Sequence, residues 1–173
     1  MKLVNKVHDD FLKGGIFKEL IKSLLLRSGY EVYPYGYETT FSVLKSKLTA
    51  REVRNSPSVR RMKHTPDLVV FDKNNQDLMF VEVKMRSKVP VIIKPSQIEG
   101  YQDFWNDCIL VLVVQDENVF YAQRVSVLQK KEYYNPATDF SRMREFFAEV
   151  NEEDLQQYRV LASSLFSSMK RLK

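Results

Sequence analysis

Asp67, Glu82 and Lys84 are the residue types that metal-assisted hydrolysis of a phosphate ester uses, and the chain between them is patterned to bring them together. Pro66-Asp67 leads into Leu68-Val69-Val70-Phe71-Asp72, an apolar run rich in β-branched residues. A polar stretch, Lys73-Asn74-Asn75-Gln76-Asp77, precedes a second apolar run, Leu78-Met79-Phe80-Val81, which ends in Glu82-Val83-Lys84. Two such runs around a polar turn predict a β-hairpin. If Asn74-Asn75 is a two-residue loop, Lys73 pairs with Gln76 and Asp67 falls directly opposite Glu82. A longer loop sets Asp67 opposite Val83, with Glu82 one step away. Directly opposed residues hold their Cβ atoms about 5 Å apart, a separation at which two carboxylates can share one cation. Glu82 and Lys84, two apart on one strand, project from the same face.

Two carboxylates that close repel one another, and a bare pair raises the pKa of at least one member. A hard divalent cation removes the conflict. Mg²⁺, with Mn²⁺ as its substitute, takes oxygen ligands and keeps several waters. It can acidify one of them for attack on phosphorus while stabilising charge on the phosphate oxygens. Lys84 would orient that water or neutralise the developing charge. The plainer alternative is a surface hairpin carrying an ordinary Glu-x-Lys ion pair, so the elements around the motif carry weight.

A helix is expected over about residues 10–27, where Phe11, Ile16, Leu20, Leu24 and Leu25 recur near helical spacing and Gly29 stops it. A strand follows through about Tyr35, and then the hairpin. Ser96-x-x-Glu99 has the form of a capping box opening a helix through about Trp105. Strands are expected at 109–114 and 119–125. A crossover from the hairpin through the helix to strand 109–114 makes the sheet mixed. The chain of 173 residues is 44% hydrophobic with 5 Gly and 6 Pro, which suits one packed domain, 1–173. No apolar stretch approaches a membrane span. The N-terminal residues lack a signal-peptide core, and Cys108 stands alone in an apolar setting, so an intracellular (cytoplasmic) protein is expected. Walker, dinucleotide-binding and G-x-S-x-G patterns are missing, and neither His8 nor His64 has zinc-ligand spacing.

Pro66-Asp67, Glu82-Val83-Lys84, the helix ending in Ser28-Gly29-Tyr30 before Glu31-Val32-Tyr33-Pro34-Tyr35, and the run from Val91 through Pro95-Ser96-Gln97 to Gly100 together carry a family resemblance. Over about residues 10–125 the sequence resembles the PD-(D/E)XK nuclease superfamily, and within it the archaeal Holliday-junction resolvases and related endonucleases. The resemblance implies an α/β fold: a restriction-endonuclease-like αβββαβ core whose mixed central sheet is flanked by helices. It implies that Asp67 and Glu82, with the Val83 backbone carbonyl, bind Mg²⁺, and that Lys84 assists the water. The family also places a glutamate on the first helix, for which Glu19 is the candidate, and a glutamine at the start of the following helix, here Gln97.

Two regions depart from the compact family pattern. Within the insertion 36–65, residues 44–65 carry Lys45, Lys47, Arg51, Arg54, Arg60, Arg61 and Lys63 against the single acid Glu52. A solvated face is the usual fate of such a run; its place just before Asp67 suits an arm that contacts DNA phosphates. Arg86 and Lys88 extend the positive surface beyond Lys84. The second departure is a C-terminal helical extension, 126–173, in which Phe140, Met143, Phe146 and Phe147, and later Leu155, Tyr158, Leu161, Leu165 and Met169, predict two packed helices. The implied activity is a metal-dependent endodeoxyribonuclease, with branched DNA as one substrate class; a homodimer would then hold two sites at fixed separation. A restriction or mobile-element nuclease of the same fold is one alternative, and a DNA-binding module that has lost cleavage is the other. The arm has a direct test. Arg→Ala at Arg51, Arg54, Arg60 or Arg61 should weaken binding to every DNA sequence about equally and flatten the slope of log K against log salt by roughly 0.9 per lost contact. Arg60 and Arg61 should also lower turnover at saturating DNA, whereas unchanged slopes in all four variants would leave only a solvated face.

Overall fold

The computed structural model describes residues 2–36, 56–115, 117 and 119–171. Lys45, Lys47, Arg51 and Arg54 of the expected arm lie outside these residues. The first helix, α1 (Lys2–Arg27), begins eight residues before the expected start and ends where Gly29 stops it. Gly29 adopts φ +95°, and its N–H and that of Tyr30 return to the Leu26 and Leu25 carbonyls, the paired bonds of a Schellman turn. Phe17, Leu20, Ile21, Leu24 and Leu25 are the buried stripe, while Ile16 is exposed.

Strands β1 (Glu31–Pro34), β2 (Leu68–Asp72) and β3 (Asp77–Arg86) form an antiparallel meander. Helix α2 (Pro57–Lys63) precedes β2. After β3 come the short β4 (Val91–Ile92), helix α3 (Pro95–Phe104), β5 (Ile109–Val114) and β6 (Val119–Arg124). Then β7 (Tyr133–Tyr134), α4 (Pro136–Asp139) and β8 (Ser141–Arg142) lead to the last helix, α5 (Glu152–Arg171). The main sheet has strand order β1-β2-β3-β5-β6-β8, with β3 and β5 parallel and the other neighbours antiparallel, while β4 pairs with β7 apart. The expected αβββαβ core with a mixed sheet is therefore present. β5, Ile-Leu-Val-Leu-Val-Val, is buried at every residue, as a central strand covered on both faces must be.

Two apolar layers sandwich the sheet. Phe17, Ile21, Val70, Val81, Val111 and Phe166 belong to the layer under α1 and α5, where Phe17 and Phe166 stack at 4.4 Å. Ile98, Tyr101, Leu110, Leu112 and Tyr134 belong to the layer under α3. Along β3 the residues alternate accordingly: Met79, Val81, Val83 and Met85 face α1, and Phe80 faces α3. No helix among the described residues is long and apolar enough to cross a membrane.

Three expectations are corrected. The capping box at Ser96 does not form: Lys94 is the N-cap and Pro95 takes the first helical position, which leaves Ser96 already inside α3. The 140–147 segment is not a helix. Phe140 packs in the α3 layer whereas Met143 and Phe147 pack in the α1 layer, so this stretch crosses the sheet edge, which one helical face cannot do. It is instead β8, hydrogen-bonded to β6, and a 3₁₀ turn over Met143–Glu145. The long C-terminal helix is α5 alone; its Leu155, Tyr158 and Phe166 are buried and Leu161 is exposed.

One close approach sets how α2 docks. A Cβ on Gly100 of α3 would stand 2.2 Å from His64 Nε2, so the imidazole lies against bare backbone. His64 Nδ1 donates to the Arg60 carbonyl at 2.7 Å, and its ring meets Tyr101 edge-on at 5.5 Å. Gly100→Ala should therefore destabilise the protein by about 1 kcal/mol, the overpacking cost outweighing the gain in helix propensity. In a His64→Ala background the same change should stabilise by roughly 0.5–1 kcal/mol. Urea unfolding of the four proteins in this double-mutant cycle checks the reversal of sign.

Candidate active site

The hairpin has the register that places Asp67 opposite Glu82. Its ladder runs from Asp72↔Asp77 to Leu68↔Val81, closing a loop of Lys73-Asn74-Asn75-Gln76. The loop thus has four residues, longer than the two-residue alternative, yet it is symmetric about the same point, so it keeps that alternative's pairing and does not set Asp67 opposite Val83. Asp72 stabilises it by accepting from the Asn74 and Asn75 N–H groups at 2.9 and 3.3 Å, and Gln76 takes the left-handed conformation, φ +54°, that turns the chain back.

At the open end the backbone ladder stops and side chains continue it. Asp67 Oδ2 accepts from the Val83 N–H at 3.0 Å. The N–H and C=O of one strand residue leave on the same edge, so the Val83 carbonyl is directed toward the Asp67 side, where it was expected as a ligand. Asp67 is pinned from behind as well, because its own carbonyl accepts from the Tyr35 and Gly36 N–H groups at 2.9 and 3.1 Å. Its Oδ1 lies 2.6 Å from Lys18 Nζ, which reaches it from α1. On β3, Lys84 Nζ lies 2.6 Å from Glu82 Oε1, and both side chains are about nine-tenths buried, with exposures of 11% and 9%. Tyr101, from α3, brings its hydroxyl to where it favours the charged form of Glu82, and its ring faces Lys84 Nζ at 5.5 Å.

The electrostatics follow from burial. Desolvation is the largest influence on Glu82 and pushes its pKa up; the Asp67 charge pushes the same way, while Lys84 and the Tyr101 hydroxyl pull it down without cancelling the rise. Tyr101 is pushed well above the ordinary phenol range, first by burial and then by the Glu82 charge. Cys108 behaves likewise, its thiol held protonated beside the Glu82 backbone. The glutamate is thus a buried anion whose charge is costly unless cations stand beside it.

Asp67, Glu82 and Lys84 are therefore brought together, and two partners were missed. Tyr101 was legible in principle, lying one helical turn after Gln97. Lys18 was not, since nothing in the sequence separates it from other lysines of α1. Glu19 does not join the group: its side chain is 64% exposed and pairs with Lys22 at 3.1 Å. On a helix its neighbour Lys18 points about 100° away, and that is the position whose stem reaches Asp67. Gln97 is half-buried at the start of α3. Arg86 continues the Glu82–Lys84 face of β3 and is held by the Ile92 and Met85 carbonyls, each at 2.8 Å. Burial lowers its pKa. Lys88 is exposed on the following turn. Arg60, Arg61 and Lys63 lie exposed on α2. Arg60 sits 3.4 Å from Asp103 and over the Phe104 ring, and Arg61 sits over Trp105 at 5.5 Å. Trp105 closes an aromatic cluster with Tyr35 and Phe80.

The donor set fits a hard cation. Asp67, Glu82 and the Val83 carbonyl offer oxygen alone, and both carboxylates already draw a positive group to about 2.6 Å. Among the described residues no group of three or more His, Cys, Asp or Glu is assembled. A bound ion would therefore complete its shell with water and substrate oxygens, as Mg²⁺ does and structural Zn²⁺ does not.

No protein-family model matches the sequence, and no curated protein matches it. Among solved structures, the chain is similar to the 1.6 Å structure of Hjc, a Holliday junction resolvase from the archaeal hyperthermophile Archaeoglobus fulgidus. The two share 15% sequence identity with a TM-score of 0.49, and the alignment covers 78% of this chain and 98% of that one.

Proposed function

We propose that the protein is a divalent-metal-dependent endonuclease that hydrolyses phosphodiester bonds in DNA. The observation that carries this reading is the juxtaposition, at one end of a hairpin, of the Asp67 and Glu82 carboxylates with the Lys84 ammonium 2.6 Å from Glu82. Asp67, Glu82 and the Val83 carbonyl would hold Mg²⁺ or Mn²⁺. Such an ion, when bound, acidifies a water and stabilises charge on the phosphate oxygens.

The remaining work falls to the chain itself. Lys84 is held by Glu82 on one side and by the Tyr101 ring on the other, so its ammonium is positioned rather than mobile. It would orient the attacking water and offset the negative charge that builds on phosphorus in the transition state. The water oxygen bonds to phosphorus, one bridging P–O bond breaks, and the proton the water gives up is matched by one taken up by the departing oxygen, which leaves as a hydroxyl. Tyr101 keeps the Glu82 carboxylate oriented through its hydroxyl and excludes water from the α3 side. Arg60, Arg61, Lys63 and Lys88 are exposed and would supply positive surface for a polyanion. Arg86, with two of its five donors committed to carbonyls, offers the rest in a fixed direction.

Asp67→Ala and Glu82→Ala should each lower Mg²⁺-dependent cleavage by roughly 10²-fold or more, while DNA binding in EDTA persists or tightens slightly on loss of negative charge. Lys84→Ala should slow cleavage comparably with metal affinity little changed, and Lys84→Arg should not restore it fully. The assay offers four-way junction, linear duplex, single-stranded DNA and RNA, with Mg²⁺ or EDTA, which also separates a junction-cutting enzyme from a general nuclease. A carboxylate variant that cuts at near the wild-type rate would remove that residue from the site.

A further inference from the structure

Lys18 occupies one lobe of the carboxylate that the metal would need. Its Nζ lies 2.6 Å from Asp67 Oδ1, with the two side chains 24% and 16% exposed. The other lobe, Oδ2, is committed to the Val83 N–H. Gly36 lies alongside the pair, where a Cβ would make only ordinary van der Waals contact, 3.6 Å from Asp67 Oδ1 and 3.7 Å from Lys18 Nζ. Glu82 has its own ammonium in Lys84, so each carboxylate of the pair is matched by one lysine, the two coming from different elements. The two lysines differ in one respect. Lys84 sits on the same strand as its partner, one pleat away, whereas Lys18 is delivered by α1 at the end of a flexible four-carbon stem.

We infer that Lys18 is an intramolecular counter-cation that holds Asp67 ready for metal and competes with the metal for it. This rests on the reading of Asp67 and Glu82 as metal ligands. With Oδ2 already accepting from the Val83 N–H, a divalent ion would take Oδ1, and there it is repelled by the ammonium in a part-buried site. Lys84, by contrast, contacts Oε1 of a carboxylate with no backbone N–H on its other oxygen among the described residues. Metal entry is therefore coupled to withdrawal of the Lys18 ammonium, and the free energy of the Lys18–Asp67 pair is subtracted from metal affinity. Without metal, the lysine keeps Asp67 from facing the Glu82 charge uncompensated. Lys18 is on this account a positioning residue that tunes how readily the site loads.

Mn²⁺ binding to the 173-residue chain, followed by calorimetry and by the loss of free-ion electron paramagnetic resonance signal, tests this without reference to cleavage. Wild type, Lys18→Met, Lys18→Gln, Lys18→Arg and Asp67→Asn are compared, each checked for folding by circular dichroism. Lys18→Met and Lys18→Gln should bind Mn²⁺ about five- to tenfold more tightly than wild type, the equivalent of a pair worth about 1 kcal/mol. Lys18→Arg should stay near wild type, because it restores a cation at Oδ1, and Asp67→Asn should lose the site. If Asp67→Asn loses Mn²⁺ but the neutral Lys18 variants bind it equally or more weakly than wild type, the competition is overturned and the metal site stands. If Asp67→Asn binds Mn²⁺ as wild type does, the metal-ligand reading itself fails, and the inference with it.

Discussion

The hydrogen bond from the Val83 N–H to Asp67 Oδ2 is the constraint on which the site depends. The β2–β3 ladder ends at Leu68↔Val81, and beyond it a backbone donor of β3 would be left open at the sheet's end. A carboxylate one residue before β2 satisfies that donor. In doing so it leaves its other oxygen to Lys18, 2.6 Å away. The symmetric loop at the far end of the hairpin holds the same register, with Asp72 capping it through the Asn74 and Asn75 N–H groups. A slip of one residue would exchange the faces of β3, sending Glu82 and Lys84 into the apolar layer under α1. Register, packing and chemistry are thus one specification.

The electrostatic balance follows from the layers. The α3 layer buries Glu82, which raises its pKa, and supplies the Tyr101 hydroxyl that partly offsets the rise. The α1 layer sends Lys18 to Asp67, and β3 itself supplies Lys84. Because the folded pKa of Glu82 is raised, its contribution to stability is fully present below the ordinary glutamate range and is lost as pH climbs through the raised value. The ionised form, the one a metal would need, is the form the fold holds at a cost. Strain of that kind, placed in charge rather than in backbone, is characteristic of sites built for a ligand.

Much of this was legible in the chain because it is local. The apolar runs Leu68-Val69-Val70-Phe71 and Leu78-Met79-Phe80-Val81 around a polar turn predict the hairpin, and the spacing of Glu82 and Lys84 their shared face. The register, by contrast, hung on the length of the loop. The continuous apolar run at 109–114 marks the central strand, and Gly29 marks the end of α1. What was illegible is non-local. Lys18 reaches Asp67 across forty-nine positions of sequence, and only the packing of α1 under the sheet selects it over Glu19 or Lys22. The 140–147 segment has helical spacing, yet its aromatic residues are divided between two cores, and the open edge of β6 pairs with it. The capping box at Ser96 lost to Pro95, whose fixed φ starts the helix two residues earlier.

Anomalous diffraction from crystals grown in Mn²⁺ tests the central claim most directly. The account predicts a peak between the Asp67 and Glu82 carboxylates, with oxygens of both within about 2.3 Å. A chain whose only Mn²⁺ peaks lie elsewhere, with Lys18 still on Asp67 Oδ1 at saturating metal, would contradict it.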